Sequence, residues 1–249
     1  TITYNLDGGT NNSNNPNTYN VLYGVTFSNP TKTGYDFAGW YDANGNKITG
    51  INEGCNATFS DTADLYSKLK TRTTGNKTIT AKWTPHNYTI TYNLDGGTAS
   101  NKTSYTIETN TFKLNNPTKT GYTFLGWTGS NGTTAQMNVS ISKGSTGNKT
   151  YTATYRKNVY TITTSANGSG ALSNSSKVYY AKNTSVFIVP AEGYTTSSLK
   201  IDGVSVSPVT KYNFLNVNKN HKVEATFSIS QNRKMELMQK GYNWIDLKL

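Results

Sequence analysis

Several short motifs in this 249-residue sequence contain residue types that enzymes use in catalysis. "KTG" occurs at 32–34 and 119–121, and "SSLK" at 197–200 fits S-x-x-K, so parts of the penicillin-binding signature are present. Both KTG words lie in one repeated turn, and "SSLKIDGVSV" reads as loop and strand where that chemistry needs a serine at a helix start. "GSTGNKT" at 144–150 resembles a phosphate loop, but Gly-Asn-Lys replaces the Gly-Lys pair and a strand follows. We interpret the first match as coincidence and the second as a hairpin turn.

The remaining candidates for chemistry are isolated residues. His86 and His221 each lack a second histidine or a carboxylate cluster at ligand spacing, and Cys55 has no paired histidine. Asp7 and Asp95 recur in "NLDGG", where a turn aspartate is favoured over a calcium ligand because calcium needs several oxygens at close spacing. The sequence therefore predicts no catalytic, cofactor-binding or metal-binding residue, no cofactor, and a protein that is not an enzyme.

Composition favours a mainly β fold, α+β at most. The chain contains 18 Tyr and 22 Gly with much Thr and Asn, residues that favour strands and turns. With 34% hydrophobic residues, several small cores are expected instead of one deep core. A single cysteine excludes an intrachain disulfide, and no apolar run reaches the roughly 18 residues of a membrane span.

The charge is basic but dispersed. The chain has 24 Lys+Arg and 13 Asp+Glu, a net charge of +11, with no basic run of the kind that binds nucleic acid. We interpret this as a solvated, mildly basic surface without a nucleic-acid partner. A specific polyanion partner is the alternative.

The sequence repeats itself. "TITYNLDGGT" at 1–10 returns at 89–98, "NPTKTGY" returns after 87 residues, and "TTGNKTITAKW" at 73–83 matches "STGNKTYTATY" at 145–155. The order is the same in both copies, which is typical of a structural repeat. The first copy has 15 extra residues, because Trp40 to Gly75 spans 35 positions and Trp127 to Gly147 spans 20.

A third, divergent copy and a tail follow. "YTITTSANGSGAL", "PAEGY" and "NKNHKVEATF" occur in the order of the earlier words. The predicted domains are module 1 at 1–83 with an insertion near 48–70, module 2 at 88–155, divergent module 3 at 160–228, and a tail at 229–249. For the tail we favour a strand or hairpin that opens a further β domain. A short helix ending at Gly241, or a return onto the third module, is also open.

The repeated words predict turns and aromatic strands. Alternation in "TITYNL" predicts a strand with one buried face, and Asp-Gly-Gly then predicts a turn. In "YDFAGW" strict alternation places Tyr35, Phe37 and Gly39 on one face and Asp36, Ala38 and Trp40 on the other. We predict that Trp40, Trp127 and Trp83 anchor cores, in preference to forming a stacking platform for a sugar.

These words resemble the internalin B-repeat, also called the Listeria–Bacteroides repeat. The resemblance rests on "YTITYNLDGGT", "NPTKTGYTFLGWTGSNG" and "GNKTYTATY", with residues 160–228 as a divergent member. It implies tandem small β-grasp-like (ubiquitin-like) modules in an elongated array, extracellular, on the bacterial cell surface or secreted.

Two functions follow as expectations. The first is a non-enzymatic, monomeric stalk or spacer, with modules joined by linkers near 84–87 and 156–159. The second is an adhesion module that binds a host protein, a glycan or an anionic wall polymer through basic turns and exposed aromatics. The second is favoured if Lys32, Lys119 and neighbouring aromatics form one continuous exposed patch.

Overall fold

The structure is a computed structural model that describes residues 1–19, 26–48, 57–58 (backbone) and 75–242. Most of the predicted insertion, with Cys55, and the tail beyond Tyr242 lie outside the described residues. Contacts between Cα atoms group the chain into two compact units. The first comprises Thr1–Asn93, Ser100–Asn115 and Trp127–Thr152, and the second Leu94–Ala99, Asn116–Gly126 and the chain from Ala153 onward.

The first repeat forms a small mixed sheet with its last strand in the centre. Its strands are β1 (Ile2–Asn5), β2 (Thr26–Phe27), β3 (Tyr35–Tyr41), β4 (Ala57–Thr58) and β5 (Lys77–Pro85). The sheet order is β1-β5-β3, where β5 is parallel to β1 and antiparallel to β3, and β2 pairs with β4. Ile79 and Ala81 of β5 are buried on alternate positions, as a strand with one core face requires.

Strand β3 departs from strict alternation. Its register with β5 shifts between Phe37 and Gly39, so Ala38 forms a bulge, and Gly39 has φ +137°. The extra residue brings Phe37 and Trp40 to the same side, where their ring centroids lie 5.3 Å apart. The prediction that they lie on opposite faces was wrong, because the glycine of F-x-G-W permits a bulge.

The second repeat repeats this plan with additional strands. They are β6 (Tyr88–Asn93), β7 (Ser104–Tyr105), β8 (Phe112–Lys113), β9 (Tyr122–Gly129), β10 (Gly132–Gln136), β11 (Ser140–Ile141) and β12 (Lys149–Lys157). Five strands form a sheet of order β10-β9-β12-β6-β7, and β8 pairs with β11. Strand β12 lies parallel to β6.

The third repeat has the same central pair. Its strands are β13 (Val159–Asn167), β14 (Gly170–Leu172), β15 (Ser176–Tyr179), β16 (Thr184–Pro190), β17 (Tyr194–Ile201), β18 (Val204–Val206), β19 (Lys211–Phe214) and β20 (His221–Ile229). The sheets have orders β15-β13-β20-β17-β18 and β14-β16-β19, and β20 is parallel to β13. Residues 88–229, all of which are described, contain no helix.

The "GNKT" turn leads into this parallel strand. In the second repeat β11 pairs with β8, and β12 pairs in parallel with the distant β6. The hairpin predicted for 144–150 was therefore wrong, because the strand after the turn pairs with the first strand of the repeat, not with the strand before it.

The tail begins as a helix. Helix α1 (Gln231–Gln239) has Ser230 as its N-cap, whose side chain accepts a hydrogen bond from the Arg233 N–H, and Gly241 follows with φ +87°. The favoured strand or hairpin was wrong for these residues, and the open alternative of a short helix before Gly241 describes them. None of the described helical residues forms a segment long and apolar enough to cross a membrane.

The repeats differ in what fills their cores. Trp40 is 1% exposed and Trp127 0% exposed, so both anchor cores as predicted. Trp127 packs edge-on against Tyr92 and Tyr151. The third core is mostly aliphatic, with these fully buried side chains: Ile162, Val186, Ile188, Leu199, Val217 and Val223.

Candidate functional site

The lysine of "NPTKTGY" fastens the glycine turn of the first repeat. Lys32 Nζ donates to the Asp7 carbonyl oxygen at 2.7 Å and lies 3.4 Å from its Oδ2. The same ammonium lies 4.5 Å from the Tyr35 ring centroid and 5.9 Å from that of Trp83. Trp83 Nε1 donates to the Leu6 carbonyl oxygen at 2.9 Å. The turn is thus held by a cation and by an indole from the last strand.

The second repeat has the same arrangement with one aromatic exchanged. Lys119 Nζ donates to the Asp95 carbonyl oxygen and lies 2.9 Å from its Oδ2. It lies 4.5 Å from the Tyr122 centroid and 5.0 Å from that of Tyr155. The Tyr155 hydroxyl donates to the Leu94 carbonyl oxygen at 3.2 Å, as Trp83 does to Leu6. We call these two arrangements the lysine clusters.

The charge of each lysine is satisfied within its own cluster. Both lysine side chains are only 20% exposed. The hydrogen bond to the Asp95 carboxylate raises the pKa of Lys119. Asp7 and Asp95 have φ of +46° and +45°, which identifies them as turn residues. A lysine bound in this way stabilises the turn and contributes little free charge to a ligand.

A shallow, solvent-exposed depression lies beside each lysine. In the first repeat it is lined by Gly8, Thr10, Thr31, Lys32 and Thr33. In the second it is lined by Gly96, Thr98, Pro117, Thr118, Lys119, Thr120, Tyr122 and Phe124. Hydroxyls and backbone dominate both linings, and neither contains the convergent titratable groups that an active site needs.

The two histidines make hydrogen bonds to carboxylates that sequence spacing did not indicate. His86 Nδ1 donates to the Asp36 carboxylate at 2.8 Å, and His221 Nδ1 donates to Asp202 Oδ2 at 2.8 Å. Burial disfavours the charged form of Asp202 and by itself would raise the pKa of this carboxyl. Hydrogen bonds from the Lys222 N–H and from His221 outweigh it and lower the pKa of Asp202 to about 2.

Other residues singled out from the sequence lie apart from these groups. Ser197 of S-x-x-K lies within strand β17 and donates to the Thr226 carbonyl oxygen. Within the described part of the chain, no group of three or more His, Cys, Asp or Glu is placed to hold a metal ion.

Sequence reasoning missed the role of the asparagine in "GNKT". Asn148 Oδ1 accepts the Thr89 N–H at 2.9 Å, and Asn220 Oδ1 accepts the Thr161 N–H at 2.9 Å. In the first repeat Asn76 Oδ1 accepts from the Thr1 hydroxyl at 2.7 Å. The asparagine holds the start of the first strand beside the parallel last strand. Its recurrence in all three copies was the available signal.

Each of the three repeats has a mixed sheet in which the first and last strands of the repeat are parallel. These sheets, with turns held by side chains of the same repeat, define a tandem array of small β repeats. The chain belongs to the Listeria–Bacteroides repeat family, whose model matches residues 1–68 and 88–154. The model of the divergent InlB B-repeat domain matches residues 160–231.

One curated relative is Internalin H of Listeria monocytogenes serovar 1/2a (strain ATCC BAA-679 / EGD-e), which is 33% identical over 129 residues. The alignment covers 52% of this chain and 20% of that protein, so the matched part is about a fifth of the relative's length. No solved structure matches the chain significantly.

Proposed function

We propose that the chain is a non-enzymatic spacer region of a bacterial cell-surface or secreted protein, and that it holds a functional part of that protein away from the envelope. The observation that carries the proposal is the pair of lysine clusters. Lys32 and Lys119, the strongest sequence candidates for ligand contact, are bound to their own turns. A side chain engaged in this way serves the repeat that contains it.

Membership of the family supports an extracellular location, because the named relative is an internalin. We infer that each repeat is a β-grasp-like module, for which the parallel pairing of first and last strands, as in β6 and β12, is the supporting feature. The array is proposed to be elongated and monomeric.

Adhesion is the second candidate, because the same depression recurs beside Lys32 and Lys119. Threonine hydroxyls line both depressions, and Tyr122 and Phe124 line the second, which suits a glycan or an anionic wall polymer. A ligand there competes with Asp95 for the ammonium, so binding is expected to be weak and sensitive to salt.

Retention on immobilised heparin at increasing salt separates the two functions. The spacer proposal predicts elution at or below physiological ionic strength, and equal retention of Lys119→Met and of the control Lys113→Met, which removes an exposed lysine of the same repeat. Retention well above physiological salt that Lys119→Met abolishes and Lys113→Met does not would make adhesion the leading function.

A further inference from the structure

Each repeat has a glycine with positive φ just before its long antiparallel strand. The three are Gly34 (φ +79°), Gly121 (φ +77°) and Gly193 (φ +76°). The carbonyl oxygen of each accepts a backbone hydrogen bond of 2.9 Å from the segment that follows the last strand of the repeat. The donors are His86, Asn158 and Ser230, in that order. We call each such glycine, with its donor, a glycine joint.

At the first joint the second repeat packs on the glycine. A Cβ on Gly34 would lie 2.6 Å from Ile107 Cδ1 and 3.0 Å from Ile107 Cβ, so a larger residue there would have to displace Ile107. The neighbouring Tyr35 hydroxyl donates to Glu108 Oε1 at 2.9 Å. Two sequential residues of the second repeat therefore contact the turn of the first.

At the second joint the third repeat packs on Gly121 through the aromatic side chain of Tyr180. A Cβ on Gly121 would overlap the ring of Tyr180. The linker residue Asn158 contacts both repeats, because its Oδ1 accepts from the Thr123 hydroxyl at 2.7 Å and its carbonyl oxygen accepts the Tyr180 N–H at 2.9 Å. Tyr180 and Ile107 occupy equivalent places, each two residues after the buried residue of a short strand, Val178 and Tyr105 respectively.

At the third joint helix α1 takes the place of a following repeat. The Ser230 N–H donates to the Gly193 carbonyl oxygen at 2.9 Å. Arg233 Cγ lies 3.0 Å from the position of a Cβ on Gly193. The hydrocarbon part of Arg233 thus covers the surface that Ile107 and Tyr180 cover on the two earlier repeats.

We propose that the glycine turn of each repeat is a docking surface for its C-terminal neighbour. Its partner is the side chain two residues after the buried residue of the neighbour's short strand, and α1 caps the third surface. Docking couples each linker to the folding of both flanking repeats. The proposal goes beyond the spacer function and is independent of it, because docked repeats and a ligand site are compatible.

A pair of glycine substitutions in the full chain separates docking from backbone strain. Gly121→Ala and Gly144→Ala both force alanine into positive φ (+77° and +87°), but only Gly121 has a neighbour, since nothing lies within 4 Å of a Cβ on Gly144. The readout is the initial rate of tryptic cleavage after Lys157, followed by mass spectrometry, because cleavage requires the linker to open. We expect Gly121→Ala to be cleaved about tenfold faster than Gly144→Ala.

A double-mutant cycle assigns the effect to Tyr180. In a Tyr180→Ala background, Gly121→Ala is expected to add no more cleavage than Gly144→Ala adds, because the overlapping ring is gone. If Gly121→Ala does not fold, Tyr180→Ala alone is compared with Tyr179→Ala, whose side chain is 58% exposed. Faster cleavage in Tyr180→Ala supports docking. Equal rates for the two glycine variants, or for the two tyrosine variants, would overturn the proposal.

Discussion

The second and third repeats secure the same turn in different ways. In the second, Lys119, Asp95 and the Tyr155 hydroxyl hold the turn with an ion pair and hydrogen bonds. In the third repeat, Ala191 occupies the position of Lys119, and Phe227 of the last strand occupies the position of Tyr155. What both retain is a glycine against the aromatic side chain, since a Cβ on Gly97 would overlap Tyr155 and one on Gly170 would lie 2.5 Å from Phe227 Cδ2. The packing of a glycine against this aromatic side chain is therefore the shared feature.

The cores of the first two repeats are built around aromatic side chains, whereas the core of the third is mostly aliphatic. After matching bulges, Trp40 pairs with Ala81 in the first repeat and Leu199 pairs with Ala225 in the third. Burial raises the pKa of Tyr151 in the second core, whereas Val223 occupies the corresponding strand position in the third. Burial therefore favours the neutral form of the tyrosine in the second core, whereas the third core is packed mainly with aliphatic side chains.

Removal of the central aromatic should have the largest effect. Trp127→Ala is expected to destabilise the second repeat by about 4 kcal/mol, and Leu199→Ala the third by about 3 kcal/mol. Denaturant unfolding followed by residue-resolved NMR measures both. The exposed Leu125→Ala should change stability by less than about 0.5 kcal/mol. A smaller loss for Trp127→Ala than for Leu199→Ala contradicts the view that the tryptophan anchors its core.

Alkaline pH should weaken the second repeat before the third. Burial raises the pKa of Tyr92 to about 12, above its value of 10.0 when unfolded. The stability that Tyr92 contributes is complete below about pH 10 and is lost as pH rises through about 12. Tyrosinate absorbance should show a late-titrating component that decreases by one tyrosine in Tyr92→Phe. The absence of a late component in the parent chain rejects the prediction.

Acid should act on the third repeat through Asp202. Because its folded pKa is about 2, below the unfolded value of 3.8, its contribution is present above about pH 4 and is lost as pH falls toward 2. Asp202→Asn should cost about 1 kcal/mol at pH 7 and flatten this acid dependence. Unfolding at several pH values measures it, with the exposed Glu192→Gln as control. An unchanged pH profile in Asp202→Asn is the opposing result.

Giving the second repeat the turn residues of the third tests how much the lysine cluster contributes to stability. The double change Lys119→Ala with Tyr155→Phe gives the second repeat the residues of the third, and we expect a loss of about 1 kcal/mol. Thermal unfolding measures the change. A loss of several kcal/mol means that the lysine cluster is essential and that packing of the glycine against the aromatic side chain does not secure the turn alone.

Local sequence patterns were sufficient to predict the order of the repeats, their strand motifs, the turn aspartates and the tryptophan cores. The bulge at Ala38 was missed because alternation was extended through a glycine. The parallel pairing of β12 with β6 was missed because sequence neighbours suggest hairpins. The Lys32 to Asp7 contact joins residues 25 positions apart, and the glycine joints require two repeats at once, so no single word contains them.

Small-angle X-ray scattering of the full chain can decide whether these repeats form a spacer. We expect a long, thin particle whose maximum dimension far exceeds its cross-section and does not change with salt. A compact particle would contradict it, since repeats folded into one body build a shared surface and cannot hold another domain at a distance.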